Sequence, residues 1–111
     1  MQLGLFSLSL AVKDIVKSKQ FYENLGFSAM PSCGSIEDKW LIMKNGQTMI
    51  GLFEGMFNDN ILTFNPTDVR AIEAHLKQNG IEIDTEVQGD SGPGHCIIKD
   101  PDGNLIMLDQ F

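Results

Sequence analysis

The stretch that decides the fold is KDPDGNLIMLDQ, residues Lys99 to Gln110. Its Asp-Pro-Asp-Gly segment is a turn sequence, because Pro101 fixes φ at the first central position and Gly103 adopts a positive φ without steric cost. The apolar run that follows is too short for a helix and is bounded by polar residues, so it predicts a buried strand. Alternation places Met107 and Asp109 on the same face of that strand.

The composition is typical of a single soluble globular domain. A chain of 111 residues is long enough to bury a core, and 42% apolar with 21% charged residues does not indicate disorder. No apolar run approaches the roughly 20 residues of a membrane span, and no signal peptide is expected. The net charge of −7 argues against nucleic acid or an anionic membrane as partner. Cys33 and Cys96 are too few for a disulfide scaffold, so a cytoplasmic protein with reduced thiols is expected.

The first half of the chain predicts a strand, a helix and three more strands. Residues 3–12 alternate as a strand, and Asp14 is a suitable N-cap for a helix from Ile15 to Leu25 that Gly26 ends. The Asn45-Gly46 pair predicts a hairpin with both residues in the left-handed conformation. The three further strands are predicted at Phe27–Met30, Lys39–Lys44 and Gln47–Phe53, with a mobile loop over 31–38.

The second half repeats this order. A shift of 54 residues moves Asp14-Ile15 onto Asp68-Val69 and Leu25-Gly26 onto Asn79-Gly80 without a gap. The predicted elements are a strand at Ile61–Phe64, a helix at about Asp68–Asn79, and strands at Ile81–Val87, His95–Lys99 and Asn104–Asp109, with a flexible loop over 89–94. We therefore predict one α+β domain over residues 1–111. It consists of tandem βαβββ modules, at about 1–55 and 60–111, that form a curled, cup-shaped mixed sheet.

This order of elements resembles the vicinal oxygen chelate family, which includes glyoxalase I, the extradiol dioxygenases and the bleomycin-resistance proteins. The resemblance covers nearly the whole chain. It rests on the first strand running into VKDI (12–15), on KQFYENLGF (19–27) and on KDPDGNLIML (99–108). It implies the glyoxalase/bleomycin resistance fold and, for members of this size, a homodimer.

Metal-dependent members of that family hold a divalent ion with four inward His, Glu or Gln side chains. The resemblance places the two first-strand positions on Ser7 and Ile61, and one last-strand position on Met107. The remaining position falls on Gly51, or on Ile50 if the register slips by one residue. None of these residues is a good ligand for a hard or borderline cation. We therefore expect no metal or other cofactor, and we do not infer lactoylglutathione lyase activity from the fold.

Other residues of the expected cup are candidates for contacting a ligand. Trp40, beside a predicted loop, is the better platform for stacking a flat molecule, and Phe53 is a second large aromatic residue. His95 begins a strand after a glycine-rich loop, where a neutral imidazole can act as a base or bind a ligand; the alternative is a strand-end histidine half in solvent. Asp109 and Ser7 are candidates for contacting a polar group, and a hydrogen bond within the sheet explains each equally well.

The first function hypothesis is the sequestration or sensing of a small, partly apolar or aromatic molecule, as the resemblance to the bleomycin-resistance proteins implies. The predicted ligand site comprises Ser7, Trp40, Gly51, Phe53, Ile61, His95, Met107 and Asp109. The alternative is an enzyme of the same family. It would be a lyase or isomerase that uses His95 with Asp109, or a metal-dependent enzyme, dioxygenases included, whose ligands lie in another register. A structural partner protein with a filled cup is the third hypothesis.

Overall fold

The computed structural model describes all 111 residues, Met1–Phe111, as a mixed α+β chain of seven strands and two helices. The elements are β1 (Leu5–Val12), α1 (Ile15–Asn24), β2 (Ser28–Ser35), β3 (Trp40–Asn45), β4 (Thr48–Glu54), β5 (Ile61–Asn65), α2 (Val69–Gln78), β6 (Gly94–Lys99) and β7 (Leu105–Gln110). The expected α+β class is confirmed. Neither helix has the length and apolar character needed to cross a membrane.

The chain divides into two compact units. The N-terminal unit is Ser7–Asn60, and the C-terminal unit combines Met1–Phe6 with Ile61–Phe111. The first two residues of β1 therefore belong to the C-terminal unit. Within that unit, Phe6 contacts Phe64 of β5, with their ring centroids 5.1 Å apart.

In the N-terminal unit, four strands lie in the order β2-β3-β4-β1, and α1 packs on one face of them. β1 and β4 are parallel, and the other neighbouring strands are antiparallel. Asp14 caps α1 as predicted, because its carboxylate accepts hydrogen bonds from the backbone N–H groups of Val16 and Lys17. The core between helix and strands comprises Ile15, Leu41, Met43, Ile50 and Leu52.

The hairpin between β3 and β4 starts its loop one residue later than predicted. Asn45 still pairs with Thr48, so the two loop residues are Gly46 and Gln47. Only Gly46 adopts a positive φ, of 58°, whereas the prediction required it of Asn45 as well. The Asn45 side chain instead donates a hydrogen bond to the carbonyl of Leu25.

Strand β2 is longer than predicted and continues to Ser35, through most of the stretch expected to be a mobile loop. Its pairing with β3 shifts register between Ala29 and Gly34 and then resumes. Ser32 and Gly34 have φ values of 61° and 87° in this irregular segment. The proline, glycine and serine of the stretch therefore produce a distorted strand.

In the C-terminal unit, three strands lie in the order β5-β7-β6 and α2 packs on one face. β5 and β7 are parallel, whereas β6 and β7 are antiparallel. The turn between β6 and β7 has the predicted positive φ at Gly103, 87°. Asp100 closes this turn, because its carboxylate accepts hydrogen bonds from the N–H groups of Asp102 and Asn104 and from the Asn104 amide. The core of the unit comprises Val69, Ile72, Cys96 and Leu108.

The predicted strand Ile81–Val87 is wrong. Only Thr85 pairs, in a single bridge to Ile97. The N–H groups of Asp84 and Thr85 both donate to the same carbonyl, that of Ile97, so the segment does not follow the alternating bonds of a ladder. The C-terminal unit therefore has two strands after its helix where three were predicted.

Candidate functional site

In the N-terminal unit, the face of the sheet turned away from α1 carries four of the eight predicted ligand residues: Ser7, Trp40, Gly51 and Phe53. The core residues of β3 and β4 alternate with others along each strand, so those others point to the opposite face. There Trp40 pairs with Phe53, and Ile42 pairs with Gly51. Ser7 belongs to the same face of β1, because Leu8, Leu10 and Val12 pack on the core side, and it is 6% exposed.

Three aromatic rings form what we call the aromatic platform: Trp40, Phe53 and Phe57. The Trp40 and Phe53 rings are nearly parallel, with 6.2 Å between centroids and 7° between planes. The Phe57 ring adjoins that of Phe53, with 5.2 Å between centroids and 45° between planes. All three residues are half-buried, so the rings keep surface available for contact. Stacked rings are a favourable aromatic arrangement.

Gly51 makes the platform sterically feasible. A Cβ at this position would lie 2.5 Å from Phe53 Cε2 and 3.1 Å from Ile42 Cδ1. Because real Cβ atoms do not approach another atom as closely as 2.5 Å, the Phe53 ring could not keep its position beside a side chain at residue 51. The sequence left Gly51 and Ile50 as alternatives for this ligand position. Gly51 lies on the platform face, whereas Ile50 is a core residue.

An ion pair joins the strand ends beside the platform. Lys39 Nζ lies 2.8 Å from Glu54 Oε2, and Glu54 Oε1 accepts a hydrogen bond from the N–H of Ile15. The hydrogen bond from Lys39, followed by that from Ile15, lowers the pKa of Glu54 below its ordinary value. Because these residues adjoin Trp40 and Phe53 in sequence, the ion pair joins the ends of the two strands that carry the rings.

In the C-terminal unit, the face turned away from α2 carries the other predicted residues. His95 and Asp109 are direct cross-strand partners, and Met107 pairs with Ile97 on one side and Thr63 on the other. Burial raises the pKa of the Asp109 carboxyl, and the charge of His95 acts in the opposite direction. His95 itself is exposed. Ile61, at the start of β5, is 4% exposed and pairs with Leu105.

The pairs Trp40–Phe53 and His95–Asp109 occupy matching places in the two units. In each hairpin the pair lies one step before a core pair and two steps before the predicted metal-ligand position, Gly51 or Met107. The core pairs are Leu41–Leu52 and Cys96–Leu108. The repeat therefore carries an aromatic pair in one unit and a titratable pair in the other.

The model of the Glyoxalase/Bleomycin resistance protein/Dioxygenase superfamily matches residues 4–108. The chain belongs to this superfamily. The resemblance inferred from the VKDI, KQFYENLGF and KDPDGNLIML motifs is thereby confirmed. No curated protein matches the sequence at a significant level.

Several solved structures share the superfamily fold with this chain. The NAD-dependent benzaldehyde dehydrogenase from Legionella pneumophila aligns with a TM-score of 0.75 and 19% identity, over 96% of this chain and 98% of that chain. A superfamily member from Vibrio splendidus 12B01 aligns with a TM-score of 0.68 and 14% identity, over 95% of this chain and 96% of that chain. Methylmalonyl-CoA epimerase from Mycobacterium tuberculosis aligns with a TM-score of 0.67 and 16% identity, over 97% of this chain and 86% of that chain. At these identities, the likeness concerns the fold alone.

The four positions on which the resemblance places the ligands of a divalent ion do not fit one here. Gly51 has no side chain, Ile61 is apolar, Met107 offers a thioether and Ser7 a hydroxyl. Hard and borderline cations prefer carboxylate and imidazole ligands. In addition, no group of three or more His, Cys, Asp or Glu side chains is placed to hold a metal ion.

Two functional candidates were missed from the sequence. Phe57 lies between the two predicted modules, and its position four residues after Phe53 was the only available signal. Arg70 binds backbone carbonyls 18 to 22 residues further along the chain, and no local pattern predicts such contacts.

The clefts of the C-terminal unit lie away from the predicted residues. One, of about 560 Å³, is lined by Ile81–Asp84 and Lys99. The ion pair between Lys99 and Asp84, with 3.3 Å between Nζ and Oδ2, involves two of these residues.

Proposed function

We propose that this protein binds a small, flat, partly aromatic molecule on the aromatic platform, without a bound metal ion. The observation that carries the proposal is the parallel, half-buried pair of Trp40 and Phe53 rings. Neighbouring rings would pack against one another in many proteins. Here, however, a glycine beneath Phe53 is required for the arrangement, and Phe57 extends the surface.

Stacking would supply much of the affinity. An aromatic pair contributes about 0.5–1.5 kcal/mol beyond the burial of its area. A ligand ring that stacks on two platform rings therefore gains part of the binding free energy that a micromolar dissociation constant requires. The neighbouring residues on this face are mainly apolar or small: Ser9, Ala11 and Ile42. A ligand with one flat apolar ring system therefore suits the surface better than a highly charged one.

The donor chemistry of the family's ligand positions supports the metal-free part of the proposal. Ser7, Gly51, Ile61 and Met107 would leave a divalent ion without a carboxylate or imidazole ligand. Binding by contact with aromatic rings does not require such an ion.

A thermal-shift screen of flat aromatic compounds, followed by calorimetric titration of the compounds that stabilise the protein, tests this proposal. We expect Phe53→Ala to weaken binding roughly tenfold, which corresponds to about 1.4 kcal/mol of lost stacking. The matched control is Phe111→Ala, because Phe111 is an 86% exposed aromatic residue outside the platform. Equal affinity of wild type, Phe53→Ala and Trp40→Ala for every bound compound would contradict the proposal.

The second candidate function is proton transfer by His95 and Asp109, as in a lyase or isomerase. The specific observation is that His95 and Asp109 are direct cross-strand partners in β6 and β7, with a half-buried Asp109 carboxyl whose pKa is raised. Such a pair can accept and return a proton. Exchange of acidic C–H protons of bound carbonyl compounds into D₂O, followed by NMR, is the measurement. We expect exchange in wild type and its loss in His95→Gln and Asp109→Asn; equal exchange in all three would contradict this function.

We also propose a homodimer in the cytoplasm, as the family resemblance and the reduced cysteines suggest. Large apolar side chains with 58–65% exposure, Leu5, Phe21 and Leu25, offer apolar surface for such an assembly. Light scattering after size-exclusion chromatography is expected to give about twice the chain mass of 12.3 kDa. A mass equal to one chain at micromolar concentration would contradict the dimer.

A further inference from the structure

We infer that Arg70 is a positioning residue for the His95–Asp109 pair, because it fixes the loop that leads into His95. This inference rests on the second proposed function, in which that pair handles a proton. Arg70 lies in the first turn of α2, on the helix-covered side of the C-terminal unit.

The Arg70 guanidinium holds residues 88–92, which we call the Arg70 loop, through four hydrogen bonds to backbone carbonyls. Nε donates to Gly89 at 3.1 Å and Nη1 to Gly92 at 2.8 Å. Nη2 donates to both Gln88 and Ser91 at 3.1 Å. The loop was predicted to be flexible, yet four of its five carbonyls are bound by one rigid, planar group. A lysine ammonium cannot reproduce this fork of donors.

Gln110 connects the Arg70 loop to the strands of the pair. Its Nε2 donates to the carbonyl of Gly92 at 3.3 Å, and its Oε1 accepts from the N–H of Val69 at 2.9 Å. Gln110 pairs with Gly94 in the step directly beside His95–Asp109. The step adjacent to the pair is therefore anchored to the start of α2.

Gly94 allows Arg70 to approach this closely. A Cβ at Gly94 would lie 3.2 Å from Arg70 Nη2 and 2.9 Å from Val87 Cγ1. Only Pro93 and Gly94 separate the Arg70 loop from His95, so a shift of the loop is carried over two residues to the backbone of the imidazole. Asp109 has a separate anchor, because Asn65 Nδ2 donates to its carbonyl at 3.0 Å. Loss of Arg70 should thus displace His95 relative to an Asp109 that stays in place.

The other charges near the pair have partners of their own. Lys99, on the same face of β6, forms an ion pair with Asp84. Glu73, on α2, accepts a hydrogen bond from the N–H of Val87. The replacement of Arg70 by lysine keeps its charge, so it tests the geometry of the contact and not its electrostatic field.

The experiment is a double-mutant cycle read by the ¹³C NMR titration of the Asp109 carboxyl, without ligand. In the Arg70 background, His95→Gln should raise the pKa of Asp109, because the charge of His95 favours the carboxylate. In the R70K background, the same change at His95 should alter the pKa of Asp109 by less than half as much. The matched control is Lys77→Gln, which removes an ion pair between the same helix and Glu86 and should leave the full effect of His95.

The inference would be overturned if His95→Gln changed the pKa of Asp109 equally with Arg70 in place and in R70K. It would also be overturned if His95→Gln left that pKa unchanged with Arg70 in place. If R70K does not fold, Gly94→Ala replaces it, since the added Cβ would press on the guanidinium at 3.2 Å from Nη2 without removing it; an undiminished effect there would also overturn the inference. Because no ligand is used, failure of the second proposed function appears separately, as intact coupling without any proton exchange.

Discussion

The ring of Phe53 occupies the space that a side chain at residue 51 would fill, since a Cβ on Gly51 would lie 2.5 Å from Phe53 Cε2. Residue 51 is the position at which the superfamily resemblance places a metal ligand. The space for a ligating side chain and the aromatic platform are therefore mutually exclusive in this chain. This relationship links the poor donor set to the proposed binding surface.

We predict that Gly51→Ala destabilises the protein by about 1–3 kcal/mol, because the new methyl group forces Phe53 from its position. The penalty should shrink in the Phe53→Ala background, where no ring has to move. Denaturant unfolding of the two single variants and the double variant measures both quantities. Strictly additive free energies of unfolding would show that the Phe53 ring does not occupy this space.

We predict that Glu54 makes the stability pH-dependent. Its pKa is lower in the folded protein than its ordinary value of 4.5, so its stabilising contribution is complete above that value and is lost as the pH falls through the lower, folded value. Between about pH 7 and about pH 3.5, wild type should therefore lose more stability than Glu54→Gln. The measurement is the free energy of unfolding of both proteins at the two pH values. Parallel losses would contradict the role assigned to the contacts with Lys39 and Ile15.

The two cysteines should react very differently. Cys96 is 0% exposed, and burial raises the pKa of its thiol to about 11, whereas Cys33 is partly exposed. At about pH 8, iodoacetamide should modify Cys33 in the native protein and Cys96 only after unfolding. Mass spectrometry of wild type and Cys33→Ser reads out the sites. Rapid labelling of Cys33→Ser under native conditions would contradict the burial of Cys96.

We predict that Asp100 stabilises the turn before β7. Its carboxylate accepts three hydrogen bonds from Asp102 and Asn104, and the Asn104 side-chain contact is the largest cause of its lowered pKa. Asp100→Ala is therefore expected to destabilise the protein more than the exposed control Asp102→Ala. Thermal unfolding measures the difference, and equal melting temperatures for the two variants would contradict it.

Local chemistry allowed much of the fold to be predicted from the sequence. Asp14 and Asp68 mark helix starts because an N-cap bond is made within a few residues, and Gly103 is required by the turn itself. The alternation of Ile81–Val87 was misleading, because the pattern does not reveal that two of its amides bond to one carbonyl.

The site was less predictable, since its contacts join residues far apart in the chain. The approach of Trp40 to Phe53 follows from the observed hairpin register, whereas the predicted Asn45-Gly46 loop would have paired Trp40 with Gly51. By contrast, the positions of Phe57 and of the Arg70 loop depend on packing that has no local signature. To predict that His95 pairs with Asp109, one needs the register of β6 on β7, and the turn sequence alone does not fix that register.

The most direct measurement is a fluorescence titration with a flat aromatic compound that stabilises the protein, in a buffer containing EDTA. Trp40 is the only tryptophan of the chain, so its emission reports on the platform itself. The account predicts saturable quenching of Trp40 emission at the same ligand concentration with and without the chelator. Stabilising compounds that leave Trp40 emission unchanged, or quenching that requires an added divalent metal, would contradict it.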